Sequence, residues 1–379
     1  MKSFKIYSFT FILALFACKE RYTPNTTSIN SNILVVEGMI NSGADSTFIR
    51  LSRTVTLANK NVANPEIGAT LTIETSANDT KILVEKEKGL YVAPPLNFGS
   101  NKKYRLKIKT KNGSNYQSDF VEAIPSPQID SLNYAVKPNG VQLYVNTSDP
   151  TNKTRYYRWE YEESWIFYAQ FNATSKWDGG PNVVDRPLEE SVFKCWGNAN
   201  SSTIVIGSSI KLNKDVIHLG PITDIASTSE KITEKYSILV KQYALTKEAY
   251  EFWENLKKNT ESLGSIFDVL PSQLTGNIHN TANADEPVIG YISAGTVQKQ
   301  RLFISKEKLP NWRPVFPFEC MLLDTVKIKD QVAAFTPRLF VPVEAARDDS
   351  GRLMFVLGAA RRCADCTVRG TTKKPIFWQ

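Results

Sequence analysis

From Asn32 onward, apolar residues recur at every second position in short runs separated by Gly, Pro and Asn, and a chain patterned this way must bury one face of a sheet. Ile49 and Leu51 alternate with Phe48, Arg50 and Ser52, and Tyr104, Leu106 and Ile108 alternate with Arg105, Lys107 and Lys109. Ile33–Gly38, Ala69–Ile73, Lys81–Glu85 and Leu90–Val92 are further strand-like runs, and Asn112-Gly113 between two such runs is a strong hairpin signal. About seven short strands in some ninety residues predict an immunoglobulin-like or transthyretin-like β-sandwich over residues 33–124, a module that most often spaces or docks. Pro125-Ser126-Pro127 marks its end, because two prolines in three residues disfavour helix and central strand alike. Residues 129–379 are expected to form a larger, β-rich mixed domain. There Tyr157, Trp159, Tyr161 and Trp165 fall on one strand face, which reads as core ahead of a ligand-stacking platform. The one amphipathic helix follows Thr246, a candidate N-cap, with Ala249, Phe252, Trp253 and Leu256 on a single face. The fold class is therefore mainly β.

Composition narrows the chemistry. With 42% apolar and 22% charged residues the chain is a folded protein, not a disordered one. Only His218 and His279 are available for imidazole chemistry, which excludes a His-rich metal site. His218, beside Val216, Ile217 and Leu219, reads as a satisfied strand residue, and His279 as a surface one. No Gly-x-Ser-x-Gly elbow, His-Glu-x-x-His or phosphate-binding glycine loop occurs, so no catalytic residue, metal or cofactor is expected. A glycoside hydrolase needs only two carboxylates, for which Glu160, Glu162, Glu163 and Asp268 are the first to consider, although solvated strand charges and a turn explain them more simply. No block of five or more Lys or Arg supports nucleic-acid binding.

The N-terminus reads as an address. Lys2 and Lys5 precede an apolar run from Tyr7 to Phe16 that ends in Ala17-Cys18. A membrane span needs roughly 20 residues and this run is about half that, so residues 1–17 are expected to be a processed signal peptide. Leu15-Phe16-Ala17-Cys18 resembles a bacterial lipobox, with Phe16 bulkier than usual, and makes Cys18 the expected lipid anchor to a membrane. Loss of Lys2 and Lys5 lowers the net charge from +8 to +6. Residues 18–32, rich in Thr, Asn and Ser, form a flexible tether. The four other cysteines, Cys195, Cys320, Cys363 and Cys366, predict two disulfides in an exported chain, with three connectivities open. A zinc site using Cys363-Ala364-Asp365-Cys366 lacks a second close pair, and a redox Cys-x-x-Cys would need a helix start that the following residues do not offer.

Lys19-Glu20 is similar to part of the short signal that sends some Bacteroidota lipoproteins to the outer face of the outer membrane. The series Leu34–Gly38, Ile49–Thr54, Tyr157-Arg158-Trp159, Ala249–Trp253, Gly264–Asp268, Pro271-Ser272, Gly276-Asn277-Ile278, Val288–Tyr291, Cys363–Cys366, Gly370 and Lys374–Trp378 resembles, in order and spacing, a Bacteroidota lipoprotein family catalogued as domain of unknown function 4249. Members are typically encoded beside TonB-dependent outer-membrane receptors. The resemblance thus implies an outer-membrane, lipid-anchored, non-catalytic accessory to such a receptor in nutrient or ligand capture. A secreted glycan-active hydrolase and a structural envelope protein are the alternatives. The expected ligand or partner face is drawn from the aromatics of residues 156–168 and the polar loop 276–287, with Tyr156, Tyr161, Trp165, Asn277 and His279 as candidates. A Cys18→Ala variant should leave the membrane fraction, and its retention in salt-washed outer membranes would contradict anchoring through Cys18.

Overall fold

The computed structural model describes residues 32–55, 64–98, 102–180, 182–261, 276–321 and 324–378. Cys18, the tether through residue 31, Gly264–Asp268 and Pro271-Ser272 lie outside the described residues. The architecture is mainly β, as the alternation predicts.

Eight strands come first among the described residues: β1 (Leu34–Asn41), β2 (Thr47–Arg53), β3 (Thr70–Thr75), β4 (Thr80–Glu87), β5 (Leu90–Ala93), β6 (Lys103–Lys109), β7 (Asn115–Ser118) and β8 (Val121–Ile124). They pair antiparallel in the order β7-β6-β3-β4-β5-β2-β1, and the Asn112-Gly113 turn joins β6 to β7. Leu34, Val36, Ile49, Leu51, Leu71, Ile73, Leu106 and Ile108, the inward members of the alternation, are at most 2% exposed.

The second unit comprises β9 (Ile129–Lys137), β10 (Gly140–Ser148), β11 (Tyr156–Tyr168), β12 (Ser175–Trp177), β13 (Val183–Asp185), β14 (Lys194–Asn200), β15 (Val205–Ser208), β16 (Val216–Ala226), β17 (Lys235–Leu245) and helix α1 (Lys247–Glu261). A three-stranded sheet, β16-β10-β9, faces a larger sheet built on β14-β11-β17 across a shared core of Val141, Leu143, Val145, Tyr157, Trp159, Tyr236, Ile238 and Val240. Thr246 caps α1 as its position predicts, its hydroxyl accepting from the Ala249 amide at 3.1 Å. Gln242, fully buried, accepts from the Trp159 indole at 2.9 Å and donates to Thr147 and to the Pro127 carbonyl, which fixes the Pro125–Pro127 linker to this core.

The chain after α1 departs from sequential order. β18 (Ile278–Asn280), β19 (Val288–Ile289) and β20 (Ser293–Gly295) do not stay with the second unit but return to the first. β18 pairs with β7, and β19 and β20 lie parallel to β1. β20 also pairs with β8, which pairs with β6, so the first unit's ladder closes on itself. Ile278, Val288, Ile292 and Ala294 complete its core. Immediately afterwards β21 (Val297–Ser305) adds to β17 in the second unit. The two chain crossings are tied together, the Ser126 amide donating to the Thr296 hydroxyl at 2.9 Å.

A third, smaller cluster holds β22 (Asp324–Lys327), α2 (Gln331–Phe335), β23 (Phe340–Arg347), β24 (Leu353–Ala360) and α3 (Arg361–Ala364), with Phe335, Val326 and Val356 buried beside Val183 of β13. Two disulfides join it to the rest, Cys195–Cys366 and Cys320–Cys363. Adjacent Cys363 and Cys366 therefore serve different partners and form neither a zinc thiolate pair nor a redox pair. They close loops of 171 and 43 residues, which stabilise the fold by about 2–5 kcal/mol each through loss of unfolded-state freedom.

Gly290 lets the returning segment reach β1. Its φ is +147°, and a Cβ there would stand 2.3 Å from the Val36 carbonyl oxygen. A Gly290→Ala variant should lose about 2 kcal/mol or more in denaturant unfolding. Unchanged stability would show that β19 and β20 do not dock on β1 as described.

Candidate functional site

A strand paired on both edges can direct side chains only above or below its sheet. β11, 13 residues long, is such a strand, with β17 on one edge and β14 and β15 on the other. Its odd positions, Tyr157, Trp159 and Tyr161, enter the core, and its even positions, Glu160, Glu162 and Ser164, face away from it. Register sets their neighbours. Asn200, Glu162, Leu239 and Arg301 stand opposite one another across β14, β11, β17 and β21. Two residues along, Asn198, Ser164, Ser237 and Phe303 form the next row.

Serines at the centre of a floor with longer side chains around it leave a hollow. A cleft of about 290 Å³ opens there, lined among others by Glu162, Asn198, Asn200, Arg301, Thr371 and Phe377. Its outer wall is the C-terminal tail. The tail is anchored by Cys195–Cys366, by a two-bond bridge between Thr371 and Trp196 (2.8 and 3.0 Å), and by Trp378, which is 5% exposed and meets Phe303 edge-on at 5.8 Å. Arg369 reinforces it, its Nη1 donating to both carboxylate oxygens of Glu230 at 2.6 Å while the guanidinium lies 4.4 Å above the Phe167 ring. Further along the same sheet face α1 covers the floor, where Arg158 packs 3.7 Å from the Trp253 ring.

Among the described residues the carboxylates on this face are paired with cations, whereas Arg301 has no ion pair. Lys241 holds Glu162 at 2.5 Å, and Glu160 accepts from Arg158 at 2.5 Å and from the Tyr243 hydroxyl at 2.7 Å. Burial, then the charge of Glu160, holds the Tyr243 phenol well above its ordinary range. Arg301 lies against Phe377 at 3.6 Å and donates one N–H to the Ser237 hydroxyl at 2.8 Å. Among the described residues no carboxylate stands within ion-pair distance of it. Burial draws its pKa downward, with Glu162 opposing the shift. The cleft thus offers a guanidinium, two amides and an aromatic ring, an arrangement suited to holding a small polar molecule.

The residues named from sequence are not brought together. Tyr161 is 7% exposed and belongs to the core, its hydroxyl donating to Thr223 at 3.2 Å. Trp165 packs on that same core face, and Tyr156, on the opposite face, is tilted against Tyr250 at 5.1 Å. Asn277 is buried and clamps the returning segment, exchanging hydrogen bonds with the Ile292 backbone at 2.8 and 2.9 Å, so its amide is used within the fold. His279 is exposed on β18, 3.5 Å from Asp119 and remote in the topology from β11; His218 is exposed on β16. Tyr161 and Asn277 are thus corrections: sheet pairing turns the first inward, and the need to satisfy backbone groups in the return recruits the second. Glu162 and Glu163 leave opposite faces of one strand, and Glu163 accepts from Lys231 and Tyr236 in the interior; Asp268 lies outside the described residues. Asn198, Asn200 and Arg301 escaped the sequence reading because only register, not spacing, makes them neighbours.

A sequence model of the family described as domain of unknown function (DUF4249) matches residues 19–301. No curated protein matches the chain. Among solved structures, a Salmonella alpha-2-macroglobulin mutant is similar at 11% identity and a TM-score of 0.18 over 86% of this chain, which spans 16% of that protein's length.

Gly197 supports the floor from beneath, since a Cβ there would lie 2.5 Å from the Trp165 indole. A Gly197→Ala variant should unfold with about 1–3 kcal/mol less stability and an altered tryptophan emission spectrum. An unchanged spectrum would show that Trp165 does not pack flat beneath β14.

Proposed function

Since the chain belongs to the DUF4249 family, we propose that it is an outer-membrane lipoprotein that acts without chemical turnover as an accessory to a TonB-dependent receptor, capturing a ligand for it. The observation that carries this reading is the Leu15-Phe16-Ala17-Cys18 sequence at the end of a short apolar leader, followed by a polar tether. Acylation at Cys18 would hold the folded part close to a bilayer, because each buried CH₂ contributes about 0.8 kcal/mol and several acyl chains act together. Two disulfides fit an oxidising compartment outside the cytoplasm. The carboxylates lining the cleft are held by lysines, and the unused donors of Arg301 support a reading of capture. Capture near a receptor mouth raises the local ligand concentration and needs no more chemistry than that.

The test is an affinity pull-down of the tagged native protein from its own outer membranes in mild detergent, read by mass spectrometry. Stoichiometric recovery of one TonB-dependent receptor is the expected result. Repeated recovery of the lipoprotein alone, with its Cys18 lipid intact, would overturn the accessory role.

A further inference from the structure

The cleft between β14 and the tail carries a more specific reading. Arg301 leans from its own row toward the next one, its Nη1 donating to the Ser237 hydroxyl at 2.8 Å while Phe377 covers one face of the guanidinium at 3.6 Å. Its other N–H groups have no acceptor among the described residues, and they are not sealed from solvent. Along that row lie Ser237, Ser164 and Asn198 on three adjacent strands, so the guanidinium and the Asn198 amide are separated by two strand spacings, about 10 Å, above two small side chains. Asn198 and Asn200 are both exposed and alternate on the same face of β14. The nearest carboxylate on the floor, Glu162, is already held by Lys241, and Lys373 and Lys374 stand exposed on the tail between the lining residues Thr371 and Pro375. Glu163, the other lining carboxylate, is held by Lys231 at 2.6 Å, so the lining charge left without an ion-pair partner is that of Arg301. Its volume of about 290 Å³ is near the lower end of ligand sites, which are roughly 300–1,000 Å³, and admits a molecule of one-ring size.

We propose that this cleft binds a small hydroxylated carboxylate, a sugar acid of monosaccharide size. Arg301 takes the carboxylate through its unused N–H groups, the geometry for which a guanidinium is suited. Asn198 and Asn200 donate to and accept from ring hydroxyls at the other end, and the free edge of Phe377 bounds the ring. The two serines supply depth, and neither needs to contact the ligand. The inference rests on the capture reading for its biological sense, yet its test uses the isolated chain, so a failed receptor pull-down and a failed binding experiment are told apart.

The experiment is saturation-transfer difference NMR on the purified full chain in detergent, with D-glucuronate, D-glucose and acetate offered at equal millimolar concentration. Glucuronate should receive saturation, with glucose and acetate at least about tenfold weaker because each lacks one half of the recognition. Arg301→Gln should abolish the glucuronate signal, and Asn198→Ala, at an exposed position, should weaken it by about three- to tenfold without altering thermal unfolding. Absence of glucuronate saturation in the native chain would overturn the proposal. So would equal saturation of glucose, which makes the charge irrelevant, or of acetate, which makes the hydroxyls irrelevant. If Arg301→Gln does not fold, the Asn198→Ala result decides, and an unchanged signal there overturns the assignment.

Discussion

The pairing of β11 on both edges is the constraint on which the rest of the molecule depends. A strand so enclosed has all its backbone groups satisfied within the sheet, and only the alternation of its side chains remains to be used. The aromatic half of that alternation builds the second core, where Tyr157 and Trp159 are stacked at 5.7 Å and Trp159 is held by Gln242. The polar half builds a surface that α1 and the tail partly cover. One sequence pattern thus produces both the stability of the unit and the cleft, and a shift of one residue in register would exchange the two faces.

The two elements that cover this sheet face, α1 and the tail, come from distant parts of the chain, and each is fastened by a different kind of interaction. The helix is fastened by burial of Ala249 and Phe252 and by the stacking of Arg158 on Trp253. The tail is fastened covalently at Cys366, by backbone pairing at Thr371 and by burial of Trp378. Gly370 lies between two of those fastenings, and a Cβ there would come 2.5 Å from the Trp196 carbonyl oxygen, so the close approach of tail to β14 depends on its lacking a side chain. Phe377 lies within the turn closed by the Trp378 amide and the Pro375 carbonyl, and is placed by all three.

Much of this architecture is legible in the sequence because its strands are amphipathic. Period-two patterning locates β2, β6 and β11, Asn112-Gly113 locates a hairpin, and Thr246 with the Ala249–Leu256 face locates α1. The return of Ile278–Gly295 is not legible. Its strands are two or three residues long, too short to show a period, and the pairing of β19 and β20 with β1 is parallel and joins segments some 250 residues apart. Asn277 reads in sequence as one polar residue in a polar loop, whereas its burial follows from a backbone that has to be satisfied between two strands. The disulfide connectivity is hidden for the same reason, since it reports which distant strands are neighbours. The cleft residues are the extreme case, because three strands have to be placed before Asn198 and Arg301 can be seen to share a floor.

The identity of residue 301 is itself informative. A half-buried guanidinium without a carboxylate partner is unfavourable, because desolvation weakens its hydration and the Ser237 hydroxyl replaces only part of what water supplied. On the same strand Phe303 and Leu302 show that apolar side chains are accommodated, and a residue stacked on Phe377 could be apolar with a gain in stability. Arg158 and Arg369, by contrast, each have a carboxylate that accounts for their charge, Glu160 in one case and Glu230 in the other. Arg301 keeps open donors that face a hollow, a charge that packing alone does not require, and a bound anion is the partner that would complete it.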